Sequence, residues 1–111
     1  MGVLNNEIGL KIKEIRLSMG LTMEEFGQMF DPPASKGVVS NWENFYKYPT
    51  MGRLERIAEL GDIHILELMN GRDYRKYKDL FWEITGIIDH YYDSNDDAHE
   101  TIRTIDELLR S

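Results

Sequence analysis

The chain has 111 residues, a net charge of −7 at pH 7 and no cysteine. This length fits one domain with an appendage, and the missing thiols exclude disulfide scaffolds and thiolate metal sites. No apolar run reaches the roughly 18 residues of a membrane span and the N-terminus lacks a signal-peptide core, so we expect a cytoplasmic protein without a membrane segment.

The first predicted helix covers about residues 6–19 and is followed by a glycine. The apolar residues that recur at steps of three and four, and so share one helical face, are Ile8, Ile12, Ile15 and Met19. Gly20 stands where a helix commonly ends in a left-handed C-cap. We therefore expect the helix to end there.

The second predicted helix begins at a polar cap. Thr22 is followed three residues later by Glu25, which is the spacing of a capping box, so this helix is predicted to start at Met23. It is predicted to stop near Phe30, because the segment Asp31-Pro32-Pro33 contains two residues that lack an N–H.

The third predicted helix is nearly free of acids. Ser35 is its predicted cap, and Val38, Val39 and Trp42 form its apolar side. For Val38 the sequence leaves two predictions open, contact with a DNA groove or packing in the core. Trp42 is predicted to be buried. Glu43 is the only carboxylate of this helix in a chain with 20 Asp and Glu residues. A surface that approaches phosphates must be clear of carboxylates, because each would repel the nucleic-acid backbone at short range.

Two further short helices complete a compact helical core. Thr50 is the predicted cap of the fourth helix, and Gly61-Asp62 ends it. The fifth covers about residues 65–70 and is closed by Gly71. The residues of the fourth helix that are predicted to face inward are Leu54, Ile57 and Ala58.

After Gly71 the apolar period becomes stronger. Six residues recur at steps of three and four over roughly five helical turns: Tyr74, Tyr77, Phe81, Ile84, Ile88 and Tyr91. Ser94 and Asp97 then have the spacing of a second capping box. A second apolar stripe follows, formed by Ala98, Ile102, Ile105 and Leu109. Residues 73–111 are therefore predicted to form a two-helix hairpin.

The order of these parts resembles the Cro/CI-type (XRE-like) helix-turn-helix repressors over about residues 7–71. Their pattern Leu-Thr-x-Glu-Glu is matched at residues 21–25, and their pattern Ser-x-x-x-(Val/Ile)-Ser-x-Trp-Glu at residues 35–43. Their Pro and Ile-Ala positions are matched at Pro49 and at Ile57-Ala58. The resemblance implies a five-helix, lambda-repressor-like DNA-binding domain at residues 1–72, followed by the hairpin at 73–111.

The resemblance also implies that residues 35–44 are a recognition helix in the major groove of double-stranded DNA. The positions implied to face base edges are Lys36, Gly37, Val38, Ser40 and Asn41. Lys36 suits guanine or a phosphate, and Asn41 suits adenine N6 and N7, which makes Asn41 the residue expected to specify sequence. The residues implied to contact the DNA backbone are Arg16, Thr22, Met23, Asn44, Lys47 and Thr50.

The resemblance also explains why a carboxylate, Glu43, is present on the predicted recognition helix. In the matching positions, the Glu after Trp pairs with an Arg late in the first helix, which here is Arg16. We expect an Arg16–Glu43 ion pair that anchors the third helix to the first and orients the guanidinium toward a phosphate. Two unrelated surface charges are the alternative.

Three positions depart from the family pattern. The Asp31-Pro32-Pro33 turn is about two residues longer than the usual one. Gly37 stands where a polar base reader is often found, and Phe45 replaces the Gly that usually follows the third helix. These departures leave the fold unchanged and concern the details of DNA readout.

The acidic charge lies mainly in the last third of the chain. Residues 1–72 carry eight Lys and Arg against ten Asp and Glu, whereas residues 73–111 carry five against ten. With so few cations, useful affinity for DNA requires two copies on one duplex. We expect a homodimer built largely by residues 74–109, and completion of one larger monomer core is the alternative. The acidic hairpin would also suit a basic partner protein.

Rival functions have weaker support in the sequence. His64, His90 and His99 lie on different elements, and no nucleophile–base set, phosphate-binding glycine loop or paired ligand spacing is present. We therefore expect no catalysis, no cofactor and no metal. The main alternative is a protein-interaction module, antitoxin-like or antirepressor, that keeps the helix-turn-helix fold but binds another protein.

Overall fold

The structure is a computed structural model that describes residues 6–70 and 74–110. Every regular element in these two ranges is helical, which confirms the predicted all-α fold class. The chain divides into two compact units, Met1–Tyr48 and Pro49–Ser111. The predicted closing residue Gly71 and the side chain of Tyr74 lie outside the described residues. The predicted division into domains 1–72 and 73–111 stays a prediction.

The first unit contains three helices, α1 (Asn6–Ser18), α2 (Met23–Gly27) and α3 (Lys36–Glu43). Gly20 follows α1 with φ +71°, as predicted for a left-handed C-cap. The Thr22 hydroxyl accepts the Glu25 amide at 3.1 Å, and the Glu25 carboxylate accepts the Thr22 amide at 2.9 Å. The predicted capping box of α2 is therefore confirmed.

Three aromatic rings occupy the core of the first unit. Phe26 and Trp42 each pack edge-on against Phe30, with ring centroids 5.4 Å apart in both pairs. Trp42 is only 4% exposed, which confirms that it is a core residue. Ile12 of α1 and Val39 of α3 are fully buried. The inward face of α3 is thus fixed by packing.

The end of α2 differs from the prediction. The helix ends at Gly27 and does not reach Phe30, because the chain after it turns back onto the helix end. The Ala34 amide donates to the Gly27 carbonyl at 2.9 Å. A Cβ on Gly27 would lie 1.9 Å from the Ala34 carbonyl oxygen. This close return of the chain is possible only where residue 27 has no side chain.

The residue that follows the C-cap of α3 is a left-handed phenylalanine. Phe45 has φ +67°, a conformation that costs a residue with a Cβ roughly 1–2 kcal/mol. Its ring lies against Gly9 of α1, where an added Cβ would be 2.5 Å from two ring carbons. This packing offsets the backbone cost and explains how Phe45 replaces the usual glycine.

The second unit contains α4 (Met51–Gly61), α5 (Ile65–Asn70), a 3-10 segment (Tyr74–Leu80), α6 (Phe81–Tyr91) and α7 (His99–Arg110). The predicted helical hairpin is thus made of α6 and α7. The residues of α4 predicted to face inward, Leu54, Ile57 and Ala58, are buried.

The caps of α4 and α5 follow the sequence closely. The Thr50 hydroxyl accepts the Arg53 amide at 3.3 Å, and Asp62 ends α4 in the left-handed conformation with φ +53°. His64 Nδ1 accepts the Leu66 amide at 3.1 Å at the start of α5. Burial lowers the pKa of His64, which favours the neutral imidazole that this acceptor role requires.

The first stripe of the hairpin is not one continuous helix, contrary to the prediction. Tyr77 has φ −120° and ψ 31°, outside the helical region, and α6 begins only at Phe81. Apolar spacing of three and four is compatible with a 3-10 turn as well as with an α-helix. The sequence pattern therefore did not reveal the break.

The start of α7 also corrects the prediction. Ser94 and Asp97 do not form a capping box: the Ser94 hydroxyl accepts the Asp96 amide at 3.1 Å. Asp97 instead caps α7 directly, because its carboxylate accepts the His99 amide at 3.1 Å. The helix consequently begins later than the Ser94 pattern predicted.

α7 packs into the second unit. The Ala98 amide donates to the Pro49 carbonyl at 2.8 Å, and the Asn70 side-chain amide donates to the Ile102 carbonyl at 3.4 Å. The hairpin side chains that are buried within the single chain are Ile84, Ile88, Ala98, Thr101, Ile102, Ile105 and Leu109. Tyr77 and Tyr91 are half-buried, and Phe81 is exposed. The stripe of α7 thus fills a core inside this chain.

Candidate nucleic-acid interface

One side of α3 is exposed and carries no free carboxylate. Val39, Trp42 and Glu43 point inward. The exposed residues of the opposite side are Lys36, Gly37, Val38, Asn41 and Asn44, with Ser40 half-buried beside them. The helical period therefore places every predicted base-contacting residue on one face, and that face is open to solvent.

The only acid of α3 is neutralised inside the unit. Glu43 is 5% exposed, and its two carboxylate oxygens accept hydrogen bonds from Arg16 Nε at 2.7 Å and Arg16 Nη2 at 3.0 Å. The hydrogen bond to Glu43 raises the pKa of Arg16 further above its usual value. This bidentate pair joins α3 to α1 and removes a negative charge from the α3 surface.

The arginine is an internal cross-link. Arg16 is 7% exposed, and its Nη1 donates to the Leu21 carbonyl at 2.8 Å. The guanidinium therefore links α1, α3 and the residue that precedes the cap of α2. A phosphate contact by Arg16 stays a prediction. Little of the guanidinium is accessible to make it.

The polar residues at the end of α3 are linked to each other. The Asn44 side-chain amide donates to the Ser40 carbonyl at 2.9 Å and to the Ser40 hydroxyl at 3.1 Å. The Ser40 hydroxyl proton remains available for a base or a phosphate. The Asn41 carbonyl accepts the amides of Tyr46 and Lys47 at 3.0 and 3.3 Å, so only its side chain is presented outward.

The start of α2 is less favourable for an anion than the sequence pattern implied. The Thr22 amide is already used by Glu25, and this hydrogen bond lowers the pKa of Glu25 and keeps the carboxylate ionised. The neighbouring Met23 is half-buried and Glu24 is exposed. Phosphate contacts by Thr22 and Met23 stay predictions, and the charge of Glu25 opposes them.

The two remaining positions that are predicted to contact the DNA backbone lie in different units. Lys47, in the loop after α3, is exposed. Thr50 is half-buried, and its hydroxyl is occupied as the cap of α4. Lys47 is therefore the better placed of the two to reach a phosphate.

Other chemistries find little support in the described part of the chain. No group of three or more His, Asp or Glu side chains among residues 6–70 and 74–110 is arranged to hold a metal ion. No helix in the same ranges combines the length and the apolar character that crossing a bilayer requires.

Gly27 and Gly9 were not singled out by the sequence analysis, although both position α3. A signal for Gly27 existed, because it precedes a turn that is longer than usual. Gly9 carried none, since its role depends on the distant Phe45 ring.

Comparison with known proteins agrees with this arrangement. A family model described as helix-turn-helix matches residues 12–68, slightly more than half of the chain. No curated protein and no solved structure matched the chain significantly.

Proposed function

The chain belongs to the Cro/CI-type (XRE) helix-turn-helix family of DNA-binding transcriptional regulators, and on that premise we propose that it is a sequence-specific repressor. In this proposal α3 lies in the major groove of double-stranded DNA and the protein acts as a homodimer. The family is one of regulators and is not typically enzymatic.

The observation that carries the proposal is the surface of α3. Its exposed side presents one lysine and several neutral polar groups, while its only carboxylate is buried against Arg16. Phosphates repel exposed carboxylates at short range, and base edges offer hydrogen-bond acceptors and donors that Lys36 and Asn41 match. If α3 were only a solvated surface of this acidic chain, we would expect it to expose carboxylates.

Replacing Asn41 by alanine is expected to weaken binding to the selected duplex, which is the one that the unchanged protein enriches from random sequences. The loss should be about 5- to 150-fold, which corresponds to about 1–3 kcal/mol for one bidentate base contact. Binding to unrelated duplexes should change little, because phosphates supply most non-specific affinity. Fluorescence anisotropy at two salt concentrations measures both quantities.

Asn95→Ala is the matched control, because Asn95 is exposed in the turn between α6 and α7. This variant should bind the selected duplex like the unchanged protein. An Asn41→Ala variant that binds the selected duplex as tightly as the unchanged protein does, with the same preference over unrelated duplexes, would remove Asn41 from base recognition.

The homodimer is supported by the small number of exposed cations and by exposed apolar residues on the hairpin. A monomer with so few exposed cations should bind DNA weakly, and its affinity should depend little on salt. Two linked copies on one duplex raise the overall affinity, because the second copy binds at a high effective concentration. Phe81 and Tyr92 are about half exposed in the single chain, which leaves apolar area on the hairpin for a second copy. Two recognition helices about 34 Å apart would then meet successive major grooves.

Sedimentation equilibrium should therefore give the mass of a dimer at micromolar concentration without DNA. The Tyr92→Ser variant should shift this equilibrium toward the monomer, because it removes exposed apolar area without disturbing a buried residue. A monomer for the unchanged protein at this concentration would contradict the hairpin dimer.

The alternative of a protein-interaction module is favoured by the exposed acids Glu24 and Glu25 at the start of α2. In such a protein α3 would contact a partner protein, and no duplex would be preferred. The selection of DNA sites described in the Discussion separates the two functions.

A further inference from the structure

A cavity of about 700 Å³ lies within the second unit, between α4, α5, the 3-10 segment and α6. Its volume falls in the range of roughly 300–1,000 Å³ that is typical of small-molecule sites. The walls of the cavity come from four elements that are separate in the chain, so no local sequence pattern indicates it. None of its lining residues belongs to the face of α3 described above.

The walls of the cavity are apolar and its rim is aromatic. The side chains of Leu66, Ile84 and Ile88 are buried around it. Phe81 and Trp82 line it as well, yet they are 47% and 79% exposed, with ring centroids 5.5 Å apart in an edge-on pair. A tryptophan with this exposure leaves much of its ring surface available to a ligand.

The same cavity carries an excess of negative charge. Glu55, Glu59 and Asp89 line it, with Lys78 as the only Lys or Arg among its lining residues. Glu59 is paired with Arg56, whereas Glu55 and Asp89 have no cationic partner within the described ranges. Two uncompensated carboxylates therefore stand at the edge of an apolar space.

Glu55 is the more buried of these two acids. Its carboxylate is partly buried, and this burial, together with the nearby charges of Asp89 and Glu59, raises the pKa of Glu55. A positive charge that entered the cavity would offset both the lost hydration and the repulsion. A neutral or anionic occupant would leave these penalties in place.

We propose that this cavity binds an organic cation with an apolar body. The charged group lies beside Glu55 and Asp89, and the apolar body lies against the aliphatic walls and Trp82.

Tetraphenylphosphonium is a suitable probe, because tetraphenylborate has nearly the same shape and the opposite charge. Titration of the full chain with the phosphonium should change the tryptophan fluorescence. The chain has two tryptophans, and Trp42 is 4% exposed in the first unit, so the change should come from Trp82 and be lost in Trp82→Phe. Tetraphenylborate should bind at least roughly tenfold more weakly, since the carboxylates oppose it.

Glu55→Gln tests the role of the carboxylate by calorimetry. It should weaken phosphonium binding roughly tenfold, the effect of one opposite charge at close range. Folding is not at risk, because the substitution removes a partly buried charge. Glu83→Gln is the matched control: Glu83 is exposed on α6 outside the cavity and should leave the affinity unchanged.

Three results would overturn the proposal: no binding of the phosphonium, equal binding of the borate, or an unaltered affinity in Glu55→Gln. Because these assays contain no DNA, their failure would leave the proposed DNA recognition untouched, and a failure of DNA recognition would leave the cavity site untouched.

Discussion

Gly27→Ala is expected to lower the free energy of unfolding by more than about 4 kcal/mol, a loss that leaves a domain of ordinary stability largely unfolded. The new Cβ would lie 1.9 Å from the Ala34 carbonyl oxygen, and a backbone atom cannot move aside as a side chain does. Relief would require the segment between α2 and α3 to leave the end of α2. The hydrogen bond from the Ala34 amide to Gly27 would then be lost.

The matched control is Gly37→Ala, because Gly37 lies inside α3 and the nearest atom to its added Cβ is the Ser35 hydroxyl oxygen at 3.8 Å. Alanine is favoured over glycine in a helix interior by up to about 1 kcal/mol, so this variant should be slightly more stable than the unchanged protein. Urea denaturation followed by circular dichroism gives both values. A Gly27→Ala variant within about 1 kcal/mol of the unchanged protein would show that the turn is not held against α2.

Glu43→Ala is expected to cost about 3–5 kcal/mol, because it leaves the buried guanidinium of Arg16 without its counter-charge. Arg16 is 7% exposed and has two of its three hydrogen bonds to Glu43, so water cannot replace the carboxylate. The loss should also weaken the attachment of α3 to α1, since no other ion pair in the described ranges joins these two helices.

Two comparisons separate this effect from a general loss of charge. Glu14→Ala removes the exposed partner of Lys11, at 3.8 Å, and should change stability by less than about 1 kcal/mol. The double variant Arg16→Met with Glu43→Leu should recover most of the loss, because apolar residues replace the whole buried pair. Additive effects of Arg16→Ala and Glu43→Ala in a double-mutant cycle would contradict the coupling.

The local parts of the fold could be predicted from the sequence because their chemistry is local. The caps at Thr22, Ser35 and Thr50 each need only a hydroxyl and an amide three residues later. Gly20 likewise ends α1 by its own backbone freedom. The Arg16–Glu43 pair spans a long stretch of chain and was implied only by the family resemblance.

The parts that could not be predicted depend on distant residues. The early end of α2 requires contact between Gly27 and Ala34, and the backbone of Phe45 requires space at Gly9. The helix break at Tyr77 does not change the apolar spacing, so the spacing could not predict it.

The cavity was missed for a different reason. Glu55 and Glu59 are four residues apart on α4 and so share a helical face, which is an unfavourable arrangement for like charges. That pair was a usable signal of a site. Asp89 joins it only through the packing of α6, which no local pattern reveals.

Selection of binding sites from random duplexes tests the central claim most directly. At low salt the unchanged protein should recover one shared motif of two inverted half-sites whose centres are about 10–10.5 base pairs apart. The Asn41→Ala variant should recover a weaker motif or none. Folded protein that enriches no sequence at low salt would contradict the account, because the exposed face of α3 would then have no base edges to read.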